Sequence, residues 1–484
     1  MNKKSISRNY IYNLFYQILV IILPLVTTPY LSRTLGAESI GIYSYTLSIA
    51  TYFVLFGSLG VAMYGQREIA YLQDDDKKRT VAFWEILFMR FITMFISLLI
   101  FGCTYARTGQ YAIYYRILII ELVSQALDIS WLFQGLEEFK KTVVRNSIVK
   151  VIFVIAIFIF IRSPKDLTKY ILIATLANLI GNFSLWLYLK KFLIKVKFKE
   201  LNIFKHIKPT IALFIPQIAV QIYTVLDRTM IGKIWGDKSE VGFYEQAQKI
   251  VKLLLTIVTS LGAVMVPRMA STYAKGDVEQ FKKYLLRSFS FTFLLAFPVM
   301  AGIVLVSKEF VPVFFGSGYE KVALLISVIS PIVFFIAMSN ILGYQFLLPT
   351  KRQKEYTVSV TIGALINFIL NMALIWKFGA VGASISTVIA EFSVSAVQVF
   401  FARHILKFSE ILKCMKNNVI ATVIMVIVTF GVNYLVGFTG IISVVEQVVV
   451  GVLTYGIVLL LLKDEFVFYV KDRAWNMIKS KFYY

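Results

Sequence analysis

The chain has 484 residues, of which 58% are apolar and only 16% charged, and it carries a formal net charge of +23. A soluble protein of this size needs far more charge to cover its surface, so a soluble globular enzyme is excluded. The positive balance is not read as nucleic-acid binding, because Lys and Arg also mark the cytoplasmic loops of membrane proteins.

Apolar runs of about twenty residues recur from one end to the other, each long enough to cross roughly 30 Å of hydrocarbon as a helix. In chain order they predict an all-α integral membrane protein with about fourteen transmembrane helices, at 9–31, 40–62, 82–104, 111–133, 143–161, 168–189, 210–232, 247–267, 286–307, 322–343, 356–376, 380–401, 417–437 and 441–462. The first run, "MNKKSISRNYIYNLFYQILVIILPLVTTPYL", starts basic and turns apolar. It has no small-x-small cleavage site, and Asn13, Gln17 and Pro24 interrupt it, so it reads as an uncleaved first helix rather than a signal peptide. With the N-terminus placed in the cytoplasm, most of the Lys and Arg fall in inner loops, as the positive-inside rule requires. Both termini are then cytoplasmic. The richest inner loop is "KKFLIKVKFKELNIFKHIK", Lys190–Lys208. It reads either as a topogenic linker or as a basic belt facing acidic headgroups. The outer loops are short, the longest near 233–246 and 308–321. They leave no room for a catalytic domain outside the membrane.

The chain repeats itself. "LGAESIGIYSYTLSI" (35–49) follows the first span and "WGDKSEVGFYEQAQKI" (235–250) follows the seventh. Gly36, Ser39, Gly41 and Tyr43 align with Gly236, Ser239, Gly242 and Tyr244 across one inserted residue, and "SLGVAM" (58–63) answers "SLGAVM" (260–265). Both copies start on the same side of the membrane, so the repeats are parallel. The predicted architecture is an N-lobe at 1–190, a basic cytoplasmic linker at 191–208 and a C-lobe at 209–402. Helices 13 and 14 with a cytoplasmic tail follow at 403–484. The two six-helix lobes would enclose a central cavity.

Charges inside spans need a reason, since an unpaired one at mid-membrane costs at least about 2.5 kcal/mol. Glu121, Gln125 and Asp128 follow i, i+4, i+7 and should share one face of the fourth helix. Gln217, Gln221, Thr224 and Arg228 form a polar stripe on the seventh, and Asn13, Gln17, Pro24 and Thr28 a similar line on the first. Two readings of Asp227 and Arg228 stay open: they face a wet cavity, or they sit near the outer interface and snorkel. Arg90, Asp128 and Glu391 lie deeper, as functional groups or as buried ion pairs. Glu85 and Arg116 lie near helix ends and read as interfacial. Cys103 and Cys414 fall on opposite sides and are not expected to pair. His206 and His404 lie near cytoplasmic ends, no Cys/His cluster has metal-ligand spacing, and no nucleotide or hydrolase motif appears. Neither a metal nor a cofactor is expected.

Four stretches, "PYLSRTLGAESIGIYSYTLSI", "DISWLFQGLEEFK" (128–140), "LDRTMIG" (226–232) and "LGYQFLLPTKRQKEY" (342–356), together resemble the bacterial polysaccharide transporters. These are the Wzx-type repeat-unit flippases of the multidrug/oligosaccharidyl-lipid/polysaccharide exporter superfamily. The resemblance covers nearly the whole chain. It implies a flippase that moves undecaprenyl-diphosphate-linked oligosaccharides to the outer leaflet of the plasma membrane. That transport would proceed by alternating access and feed capsule, O-antigen or exopolysaccharide synthesis. The implied partners are that lipid-linked glycan, membrane lipids and the polysaccharide polymerase machinery, with no nucleic acid. An anionic diphosphate needs a cation, and Arg228 and Arg90 are the candidates. Gln17, Gln217 and Gln221 are candidates for sugar contacts. Asp128, Asp227 and Glu391 are candidates for ion or proton coupling.

The competing readings are a multidrug exporter of the same superfamily, a lipid II flippase, and a membrane polysaccharide polymerase. A polymerase would need a sizeable outward catalytic loop, which this chain lacks.

Overall fold

The computed structural model describes residues 6–197, 199 and 201–468, with the side chains of 6–18, 139–141, 215–217, 219, 220, 222, 223 and 263 outside that description. Within those limits every regular element is helical. This follows from the apolar runs: in hydrocarbon the backbone must satisfy its own hydrogen bonds, and a helix does so segment by segment.

The helices are α1 (Ile6–Ser58), α2 (Val61–Tyr71), α3 (Asp76–Thr104), α4 (Ala112–Ala126), α5 (Ser130–Gly135), α6 (Phe139–Phe160), α7 (Leu167–Ser184) and α8 (Ile207–Met230). They continue with α9 (Lys238–Ala274), α10 (Val278–Phe315), α11 (Glu320–Ile329), α12 (Ile332–Ser339), α13 (Gln353–Phe378), α14 (Ala380–Ala402), α15 (Phe408–Val436) and α16 (Gly440–Leu461). Every predicted span falls on helix, though not one to one. By length and apolarity, eleven of the described helices qualify to cross a membrane, or twelve if α11 and α12, bent by 40°, make one crossing. The count of fourteen is therefore not confirmed. The difference has physical causes. The run α1 covers the first two predicted spans and is broken only at Gly36 (φ 77°). The fourth span, broken between α4 and α5, still counts as one crossing at Ala112–Gly135, whereas α8 is not among the eleven.

By internal packing the chain divides into two compact units, residues 1–242 and 243–484. The boundary follows α8 because α8 packs on α1 and α2. Sequence equivalence is a separate property, and it starts its second copy at α8.

In the first unit a core of Phe83, Ile86, Trp131, Leu132 and Phe133 ties α2, α3 and α5 together. The Phe83 and Trp131 rings stack 5.3 Å apart. Gly65 lies directly under Trp131, where a Cβ would press into the indole. In the second unit Phe281, Phe289, Phe293 and Phe346 fill the core around α10. The repeat is visible in contacts inside each unit. Tyr43 packs edge-on against Tyr170 of α7, the sixth predicted span, with ring centroids 5.1 Å apart. Its equivalent Tyr244 meets Thr387 of α14, the twelfth, at 3.1 Å. The copies also diverge. Leu59 (φ 46°) and Gly60 (φ 73°) break the chain between α1 and α2, whereas "SLGAVM" runs unbroken through α9.

Candidate functional site

The polar stripe predicted on the seventh span lies on α8. Gln221 and Thr224 are exposed, Arg228 is half-buried, and Asp227, one position away, is buried. About 100° per residue separates the two faces, so the acid turns into packing while the base follows the stripe. Both charges lie within electrostatic reach of the Tyr52 phenol on α1. Thr229 completes the contact: its hydroxyl is 2.8 Å from that of Ser48 and 3.3 Å from the Tyr52 hydroxyl. The side chains of Gln17 and Gln217 lie outside the described residues.

The C-terminal end of α8 continues as a π-helical turn, Ile231–Trp235. Lys238 caps it. Its ammonium donates to the carbonyls of Gly232 at 2.5 Å and Gly236 at 2.9 Å, and stands 4.5 Å above the centre of the Tyr45 ring. A cation at a helix C-terminus is favoured by the carbonyl dipoles, and the aromatic face adds attraction. Gly236 (φ 92°) turns the chain into α9 as Gly36 turns it within α1. Just beyond, Gly41 and Gly242 touch: a Cβ on Gly41 would collide with the Lys238 carbonyl and lie 2.9 Å from the Gly242 nitrogen.

Arg90 and Asp128 come together, but at a break in the fourth span. The helix stops at Ala126 and resumes at Ser130. Arg90 Nη1 donates to the Asp128 carbonyl at 2.8 Å, and the Trp186 indole donates to the Leu127 carbonyl at 2.8 Å. The Asp128 carboxylate accepts from the Ser130 amide at 2.9 Å. The carbonyls freed by the break are thus satisfied by side chains, as a broken membrane helix requires. Asp128 consequently does not continue the face of Glu121 and Gln125. Those two pair with each other at 2.9 Å, and Asn178 of α7 donates to the other Glu121 oxygen at 2.9 Å. Glu391 is buried on α14, within electrostatic reach of Tyr356 on α13.

Glu85, read as interfacial from its place near a helix end, faces neither solvent nor lipid. It is fully buried and joins Tyr64, Lys205 and His206 in one network. Sequence reasoning missed this cluster, since the partners lie more than a hundred residues apart. The only local signal was a carboxylate inside an apolar run and one of just two histidines.

The profile of the family described as polysaccharide biosynthesis protein matches residues 6–273, more than half of the chain. The chain belongs to that family. A second profile, MatE, matches residues 212–373, most of the second repeat. Among the relatives of this chain is an Escherichia coli (strain K12) protein named for O-antigen transport. It is 27% identical over 410 residues, 83% of this chain and 98% of its own length. A Haloferax volcanii protein named for low-salt glycan biosynthesis as a flippase is 25% identical over 360 residues, 73% of this chain and 74% of its own. Among solved structures, the lipid II flippase MurJ in an inward closed conformation superposes with a TM-score of 0.75. It is 18% identical, and the match covers 95% of this chain and 100% of that one. The chain is therefore a multi-pass, all-helical membrane protein with the fold of MurJ.

Proposed function

We propose that this protein is a flippase for lipid-linked oligosaccharides. Its cargo is an undecaprenyl-diphosphate-linked repeat unit, moved from the inner to the outer leaflet of the plasma membrane by alternating access of the two repeat-related lobes, 1–190 and 209–402. The carrying observation is family membership that spans the first repeat and enters the second, with relatives named for O-antigen transport and glycan flipping. In this reading both termini are cytoplasmic, and the delivered units pass to polysaccharide polymerase machinery.

The α8 geometry supports this reading. A half-buried arginine stands at the end of a stripe whose Gln221 and Thr224 are exposed. A guanidinium pairs bidentately with a diphosphate, and amides and hydroxyls suit a glycan. Arg228 is assigned to the diphosphate and Gln221 to the sugars, with Gln17 and Gln217 assigned to the same sugar path. Arg90 is a second cation for the diphosphate once the α4–α5 break opens. Asp227, Asp128 and Glu391 are the carboxylates available for ion coupling.

The test uses a deletion strain. Undecaprenyl-diphosphate-linked oligosaccharide should accumulate on the cytoplasmic leaflet and surface polysaccharide should disappear. The wild-type gene should restore export, and Arg228→Glu should not, at equal protein level. Unchanged polysaccharide with increased sensitivity to toxic cations would favour a second reading, cation export, which the MatE match raises.

A further inference from the structure

The loop between the two repeats is held against the cytoplasmic end of α3. Arg79 Nη2 donates to the Phe192 carbonyl at 2.7 Å, and the Ile194 amide donates to Thr80 Oγ1 at 3.2 Å. The strongest attachment is Glu85. One oxygen, Oε1, accepts from the Asn202 amide at 2.6 Å, while Oε2 meets Lys205 Nζ at 2.7 Å and His206 Nε2 at 2.8 Å. His206 Nδ1 lies 2.7 Å from the Tyr64 hydroxyl of α2, and the His206 carbonyl accepts from Thr210 in the first turn of α8. Glu85, His206 and Tyr64 are all buried. The charged and titratable groups around the ring are Tyr64, Arg67 and Glu68 from α2, Glu85 from α3 and Lys205 from its own turn.

The geometry constrains the proton. With Lys205 and the Asn202 amide beside it, Glu85 is a carboxylate and only accepts, so His206 Nε2 carries a hydrogen. In the neutral ring Nδ1 then accepts from the Tyr64 O–H. In the protonated ring Nδ1 donates, and the Tyr64 oxygen accepts after its O–H rotates. Both states are hydrogen-bonded with no heavy atom moved. They differ in charge: the protonated ring makes an ion pair with a buried carboxylate, the neutral ring a weaker hydrogen bond.

We propose that Glu85 is a positioning residue that latches the inter-repeat loop and the start of α8 onto α3, and that His206 makes this latch proton-responsive. The latch is tight when the ring is protonated and looser when the ring is neutral. Its consequence for transport rests on the flippase reading, because α8 carries Arg228; the latch itself does not.

The experiment is limited proteolysis of the full chain in lipid nanodiscs. It reads tryptic cleavage at the exposed Lys195 and Lys197 between pH 5.5 and 8, each variant measured against His206→Gln at the same pH. Glutamine keeps a donor for Glu85 and an acceptor for Tyr64 and takes up no proton. Wild-type cleavage should rise relative to His206→Gln as pH rises. Glu85→Gln should be cleaved more than about tenfold faster than wild type at the acid end, since loss of a buried charge partner is strongly destabilising. Lys205→Met, which leaves the ring and the carboxylate in place, should retain the pH dependence. A constant ratio of wild type to His206→Gln across the range, or wild-type protection in Glu85→Gln, would overturn the proposal. No glycan enters this assay, so its failure leaves the flippase reading standing, and loss of that reading leaves the latch intact.

Discussion

At its first residue α8 hangs from a buried network of charged and titratable groups; at its last it is held by glycines, carbonyls and one lysine. The Glu85–His206 end depends on protonation and on long side chains, whose contacts can be exchanged one at a time. Just past the other end of α8, α1 and α9 meet at Gly41 and Gly242 through backbone surfaces at van der Waals distance, which have no intermediate position.

The largest effect should come from filling the glycine contact. Gly41→Leu or Gly242→Leu places a side chain against the Lys238 or the Ala37 carbonyl, where the obstructing atoms are backbone. Membrane-inserted protein should fall below detection on an immunoblot, and surface polysaccharide with it. Gly102→Leu is the control, since nothing lies within 4 Å of a Cβ there. If Gly41→Leu accumulates and exports normally, the contrast between the two ends collapses.

Next in size is Lys238→Met, which removes two hydrogen bonds from a buried cation and the attraction to Tyr45. Hydrogen bonds to charged groups contribute about 1.5–3 kcal/mol each, and methionine recovers part of that through packing on the ring. The midpoint of thermal aggregation in detergent should drop by several degrees, with no change in its pH dependence. A pH-dependent loss would place a titrating group at the wrong end of α8.

At the other end, export by His206→Gln should vary less with pH than wild-type export, because glutamine keeps a donor for Glu85 and an acceptor for Tyr64 and takes up no proton. Measuring surface polysaccharide from cells grown at two pH values checks this. The smallest effect belongs to Asp75, the exposed N-cap of α3. Its carboxyl is held below the usual range first by the Lys78 amide and then by the Lys78 side chain. A depressed carboxyl stabilises the fold above its unfolded value and loses that contribution as pH falls through its folded value. Asp75→Asn should therefore differ slightly from wild type at neutral pH and converge with it in strong acid, as read by thermal midpoint.

Helices were legible in the sequence because run length and apolarity decide them in a bilayer. The repeat paired Gly36 with Gly236 in the sequence, and the structure gives both a positive φ, since equivalent glycines mark equivalent backbone demands. The break at Leu127–Ile129 was hidden. Glu121, Gln125 and Asp128 keep helical spacing straight through it, and the groups that satisfy the interrupted carbonyls, Arg90 and Trp186, belong to other helices. The Glu85 network was hidden for the same reason, because its partners meet only after α2, α3 and the inter-repeat loop have packed. Within the candidate site, the stripe on α8 was readable from period alone, while the burial of Asp227 against the exposure of Gln221 depended on which side α1 covers.

The paired glycines also bear on how such a chain arose. Gly41 and Gly242 occupy matching positions in the two copies, and each faces the other's amide nitrogen, at 2.9 and 3.2 Å from an added Cβ. A contact in which a surface meets its own equivalent is the contact a symmetric dimer makes. A single-copy ancestor that paired with itself would already have possessed it, and gene fusion would have preserved it without a new surface having to evolve. The two copies differ elsewhere: Asp227 and Arg228 of the second stand where the first has Thr27 and Thr28.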